Sequence, residues 1–154
     1  MEPQIRLARE EDLPALQRLA IQTYRDTFDG TASEEDTQLL LERAYNLEQL
    51  ARELHEPGSV LYHAFVGSAL VGFLRLRENS EVETLLGPHT YELQRLYIDK
   101  AFQGTGLANR LMTLALAEAE KRQVDWLWLG VWERNFRAQR FYARWGFERF
   151  SEHT

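Results

Sequence analysis

The chain has 154 residues, 44% of them hydrophobic and 27% charged, with a formal net charge of −6. That length holds one domain with an ordinary core, no apolar run approaches the roughly 20 residues of a membrane span, and the acid excess disfavours nonspecific nucleic-acid binding. There is no cysteine, so disulfides, thiolate metal sites and cysteine nucleophiles are excluded, and with no signal-peptide pattern at the N-terminus a cytoplasmic location fits.

In chain order, "PQIRLARE" alternates Ile5 and Leu7 with polar residues and reads as a strand. A helix is predicted from about Glu11, with Pro14 in its first turn, where a missing N–H costs nothing. Leu13, Leu16, Leu19 and Ala20 form its apolar stripe. "DGTASEED" reads as a loop that ends in a cap, Ser33 with Asp36 three residues on. A second helical segment carries Leu39 to Leu54, is broken near Asn46 and stops before Pro57-Gly58. "SVLYHAFV" and "ALVGFLRLR" predict two strands joined by a tight hairpin at Gly67-Ser68. "ENSEVETLLGPHT" reads as an acidic loop, "YELQRLYI" as a strand and "GLANRLMTLALAEAEKR" as a long helix. "DWLWLGVW" predicts a strand over 125–132 buried on both faces. "NFRAQRFYARWG" predicts a short helix ended by Gly146, and "FERF" the start of a last strand. The order β-α-α-β-β-β-α-β-α-β makes an α/β fold: a mixed sheet covered by helices.

The turn "FQGTGLAN" at 102–109 joins a strand to the long helix. The first N–H groups of a helix lack intrahelical partners, and the dipole adds partial positive charge there. Yet Gly104, Thr105, Gly106, Leu107, Ala108 and Asn109 offer no carboxylate, and Arg110 adds a cation at the wrong end of the dipole. An external anion resolves both oddities, since Gly104 and Gly106 allow close approach to the backbone. The Walker ending Gly-Lys-Ser/Thr is absent, and the dinucleotide fingerprint fails at Asn109. A plain close turn at a helix start explains two glycines nearly as well.

Two sets of residues carry a resemblance. Gln103, Gly106 and Ala108 match the pattern Gln/Arg-x-x-Gly-x-Gly/Ala, and Asn135, Ala138, Phe141, Tyr142, Gly146 and Phe147 match Asn…Ala…Phe-Tyr…Gly-Phe. In both, the sequence resembles the GNAT superfamily of acyl-CoA-dependent N-acetyltransferases. The wording "LQRLYI…FQGTGLA…WLGVWERN…FY…GF" with "IQTYRDTF" is most similar to bacterial spermine/spermidine N-acetyltransferases. The resemblance implies one GNAT domain over residues 1–154, with a mostly antiparallel sheet. It also implies a further strand after Gly-Phe, whereas this chain stops at Thr154. That shortfall bears on the acceptor pocket and on a possible homodimer.

The resemblance further implies that acetyl-CoA lies where strand 91–98 splays from strand 125–132. Its pantetheine would pair with the backbone of Leu96 and Ile98. An N–H near Leu96 or Tyr97 would polarise the thioester, and Gln103 to Ala108 would hold the pyrophosphate. Asn135 matches a CoA-contacting position and also reads as a helix N-cap. Tyr142 matches the tyrosine that protonates the departing thiolate. Glu92 matches a general-base position, and in a regular strand it shares a face with Gln94, Leu96 and Ile98. The implied acceptor is a small primary amine, foremost a polyamine that Asp29, Glu34, Glu35 and Asp36, or Glu78, Glu81 and Glu83, would collect. A protein N-terminus or lysine is the alternative acceptor, and a non-catalytic CoA-binding regulator the alternative class. His55, His63, His89 and His153 have no ligand spacing, so no metal is expected.

Overall fold

The computed structural model describes residues 2–150. Five strands, β1 (Gln4–Leu7), β2 (Val60–Val66), β3 (Ala69–Arg77), β4 (Thr90–Ile98) and β5 (Trp126–Trp128), form one sheet in sequence order. The first four are antiparallel, and β5 joins β4 in parallel. Six helices surround it: α1 (Leu13–Phe28), α2 (Glu34–Tyr45), α3 (Leu47–His55), α4 (Glu83–Leu86), α5 (Leu107–Lys121) and α6 (Phe136–Arg144). Gly67 takes φ 61° in the two-residue turn between β2 and β3, a conformation glycine adopts freely.

The helix boundaries follow from side-chain caps. The Ser33 hydroxyl accepts from the Asp36 N–H at 3.1 Å, and Asn46 Oδ1 accepts from the Gln49 N–H at 2.8 Å. Asn46 thereby ends α2 and starts α3, the break that the sequence predicts. On one face of the sheet, Leu74, Leu76, Tyr91 and Leu93 pack on Leu107, Leu111, Met112 and Ala115 of α5. These α5 positions recur with helical period, so one stripe of the helix is buried. On the other face, Leu70 and Phe73 meet Leu13, Leu16, Leu19 and Ala20 of α1, joined by Leu41, Tyr45 and Leu50 of α2 and α3. Fully burying each such side chain contributes about 1.5–3 kcal/mol.

Four expectations are corrected. The acidic stretch after β3 is not all loop: it contains a one-turn 3₁₀ helix, Ser80–Val82, and α4. The strand predicted over 125–132 pairs only at Trp126–Trp128, and Trp126 is 54% exposed, so it is not buried on both faces. Residues 147–150 form no strand, and residues 151–154 lie outside the described part. The regular alternation assumed for β4 fails as well. Arg75 faces Arg95 and Leu76 faces Leu93, which leaves Gln94 as an extra residue, a β-bulge. Past the bulge the faces swap, so Glu92 shares a face with Arg95 and Tyr97 and not with Leu96 and Ile98.

A buried polar cluster ties β1, β2 and the start of α1 together. Arg6 donates to both oxygens of Asp12 at 2.8 and 2.7 Å, and His63 Nδ1 lies 2.9 Å from Asp12 Oδ2. Burial opposes the Asp12 charge, but Arg6, the Arg9 N–H and His63 together hold its carboxyl well below the usual carboxylate range. Burial lowers the pKa of His63 against the pull of Asp12. His63 is fully buried, so it stays neutral where the unfolded chain takes up a proton. Unfolded histidine titrates near 6.5, so stability falls as pH drops through that value. Urea denaturation is expected to give a lower unfolding free energy at pH 5 than at pH 7.5, and His63→Gln is expected to flatten that slope.

Candidate active site

β4 and β5 pair only from Thr90–Trp126 to Glu92–Trp128. Beyond those pairs the two segments part and enclose a cleft of about 580 Å³, within the range of small-ligand sites. Leu96, Tyr97 and Ile98 line one side, and Gly130, Val131 and Trp132 the other. The turn before α5 closes one end with Gln103, Gly104, Gly106 and Ala108, and α6 adds Asn135 and Tyr142.

At the turn, Gly104 takes φ 80° and Gly106 φ 88°, values in the left-handed region that side chains avoid. An added Cβ at either glycine would meet no atom within 4 Å. Among the described residues, the N–H groups of Gly104, Gly106, Leu107 and Ala108 find no hydrogen-bond acceptor, while that of Thr105 turns back toward the preceding turn. Thr105 turns its hydroxyl to the Phe102 carbonyl at 2.6 Å, and Leu107 is buried in the core. Those two sequence-predicted side chains therefore contribute backbone only. Asn135 fulfils its cap: its Oδ1 accepts from the Ala138 N–H at 3.1 Å.

Four cations, Lys100, Arg134, Arg137 and Arg144, line the same cleft. None has an ion pair among the described residues. Sequence reasoning missed them, although Arg137 and Arg144 are seven residues apart, two turns on one helix face. Orphan amides beside unpaired cations suit a ligand with several phosphates.

Tyr142 packs edge-on against Phe141 and Phe147, with ring centroids at 5.3 and 5.7 Å. Burial, with Tyr97 close by, pushes its phenol above the usual tyrosine value. Burial likewise raises Tyr97 to about 12, helped by Tyr45. Glu92 does not line the cleft. Its Oε1 accepts from Arg77 Nε and from Asn79 Nδ2, and the bulge turns it toward the α1–α3 side.

A second cavity of about 580 Å³ lies on that other side, between α2, α3 and the sheet. Arg43, Arg77 and Arg95 line it, with Asp36, Leu39 and Leu40. Gln94, the bulged residue, lines both cavities.

Residues 14–147 match the acetyltransferase (GNAT) family. The chain belongs to that family. An uncharacterized N-acetyltransferase from the pepI 3′ region of Lactobacillus delbrueckii subsp. lactis is 37% identical over 145 residues, 94% of this chain and 84% of that protein. An uncharacterized N-acetyltransferase of Mycobacterium tuberculosis is 35% identical over 65% of this chain and 60% of that protein. The crystal structure of PaiA N-acetyltransferase from Thermoplasma acidophilum in complex with coenzyme A superposes with a TM-score of 0.84 at 26% identity, covering 96% of this chain and 91% of that one. The enzyme is thus an acetyl-CoA-dependent N-acetyltransferase with the GNAT fold, a five-stranded mixed sheet between helices.

The residues present fit the coenzyme. The turn offers amide donors that have no acceptor among the described residues, the cleft has the volume, and the cations match the phosphates. Among the described residues, no cluster of three or more His, Asp or Glu suits a metal ion, and no helix is long and apolar enough to cross a membrane. Replacing Gly106 by alanine would force a side chain into the left-handed region, at about 1–2 kcal/mol, and would disturb the amides at the head of α5. Calorimetry is expected to show coenzyme A binding weakened about tenfold in Gly106→Ala.

Proposed function

We propose that this enzyme acetylates a small primary amine by direct attack on acetyl-CoA within a ternary complex, and that the acceptor is a polyamine such as spermidine. One observation carries the reading: the orphan amides before α5, four unpaired cations and Tyr142 share one cleft. In this assignment the amides of Gly104, Gly106, Leu107 and Ala108, beside Gln103, hold the diphosphate. The backbone of Leu96 and Ile98, beyond the end of β5, pairs with the pantetheine. An N–H of Leu96 or Tyr97 polarises the thioester carbonyl. Asn135 contacts the coenzyme while it caps α6.

The acceptor needs a free electron pair, yet an alkylammonium has a pKa near 10.4, and its neutral form at pH 7 costs roughly 4.6 kcal/mol. The new N–C bond forms as the C–S bond breaks, and the amine gives up its proton. The base role assigned to Glu92 runs through a relay, because its carboxylate is held by Arg77 and Asn79 and faces away from Leu96. Tyr142 donates to the departing thiolate, whose pKa is about 8.5. Burial keeps that phenol protonated across the assay range, so the donor is always in place.

Charge supports a cationic acceptor. Of the first acidic stretch Asp36 lines the second cavity, Asp29 and Glu35 stand exposed but line neither, and Glu34 is taken by Arg25 at 2.9 Å. The second acidic stretch does not contribute: Glu78, Glu81 and Glu83 line neither cavity. A peptide or protein amine is the second reading, favoured by the other cavity, where the Arg43 guanidinium would suit an acceptor carboxylate.

A coenzyme-release assay across polyamines, peptides and amino acids is expected to show the fastest turnover with polyamines. Faster turnover with peptides would transfer the assignment to the second reading. If coenzyme A binds but no amine stimulates release, a non-catalytic coenzyme-binding role replaces both. Tyr142→Phe is expected to lower kcat about 100-fold, at the low end for a lost proton donor, with little change in amine KM.

A further inference from the structure

The charged lining of the cleft is basic with one exception. Asp26 is the only carboxylate among the described residues that line it. Coenzyme A brings a diphosphate and a 3′-phosphate, which match Lys100, Arg134, Arg137 and Arg144. They do not match Asp26, which is left as a like charge beside a polyanion. Its place on α1 adds to the mismatch, because it lies two residues before the helix end at Phe28, where the dipole is negative.

No described residue pairs directly with this carboxylate: Asp26 makes no hydrogen bond or ion pair with any of them. Its neighbour Arg25 directs Nη1 and Nη2 to the Glu34 carboxylate at 3.0 and 2.9 Å. An exposed, unpaired carboxylate inside a cleft built for phosphates is the complement of a cation that arrives with the second substrate. Aromatic rings stand beside it. Phe28 and Trp132, which also line the cleft, have centroids 5.0 Å apart, and Tyr24 lies 4.7 Å from Phe28. Such rings cover methylenes next to an ammonium and attract its charge.

We infer that Asp26 binds the acceptor as an ammonium ion and sets the preference for cationic acceptors. The assignment rests on the amine reading above and serves polyamine and peptide acceptors alike. Asp26 holds the acceptor in the mouth of the cleft, and proton loss follows at the thioester.

The test is steady-state kinetics of Asp26→Asn with spermidine and acetyl-CoA, beside Asp26→Glu and the distant control Glu81→Gln. Removing a charge-assisted contact is expected to raise the amine KM about tenfold or more. The acetyl-CoA KM and the melting temperature should stay within about twofold and about two degrees of the parent. Asp26→Glu, which keeps the charge, should recover most of the affinity, and Glu81→Gln should leave it unchanged. An unchanged amine KM in Asp26→Asn overturns the assignment, as does a parallel rise in both KM values or an equal loss in Glu81→Gln. If the parent enzyme accepts no amine at all, the amine reading itself falls and takes the anchor with it.

Discussion

Four backbone N–H groups at the head of α5, those of Gly104, Gly106, Leu107 and Ala108, find no acceptor within the described chain. The turn is exposed, so water can meet these donors until an anion replaces it. The local sequence supplies no acceptor of its own: two glycines at positive φ turn the chain without side chains, and the first turn of α5 holds no acid. The helix dipole adds to their pull on an anion. No described residue plugs the turn, which leaves it open to phosphate oxygens. The rest of the fold fixes where that turn lies, since Leu107 and Leu111 clamp α5 to the sheet directly behind it.

β4 links this cradle to the chemistry. Its pairing with β5 ends at Glu92–Trp128, which leaves one backbone edge of Leu96 to Ile98 facing the cleft. Its bulge puts Gln94 at a wall common to two cavities on opposite sides of the strand. Direct transfer needs two substrates to meet at one carbonyl, and a strand open on both sides provides a meeting place. In the proposed reading, charge then sorts the substrates. Cations gather where phosphates are expected, and the one acid among the described residues that line the cleft lies on α1.

Much of this was legible in the sequence. The periodic stripe of α1, the strong helix formers of α5, the Gly67-Ser68 hairpin and the Asn135 cap rest on local rules, and local rules held. Short motifs singled out Gln103, Gly106, Ala108 and Tyr142, and all four line one cleft. What failed was set by non-local geometry. No residue near Gln94 announces a bulge, so the strand period placed Glu92 on the wrong face. The apolar run at 125–132 promised a full strand, but its second half leaves the sheet to form the cleft wall. Arg134, Arg137, Arg144 and Asp26 read as ordinary surface charges until the fold brought them around a single cleft.

The central claim is that main-chain amides grip the coenzyme's diphosphate. The most direct measurement is an amide-resolved nitrogen–proton NMR titration of the whole protein with coenzyme A. The account predicts the largest downfield proton shifts at Gly104, Gly106, Leu107 and Ala108, reproduced by ADP and absent with adenosine. Saturable binding of coenzyme A that leaves those four amides unmoved would contradict it.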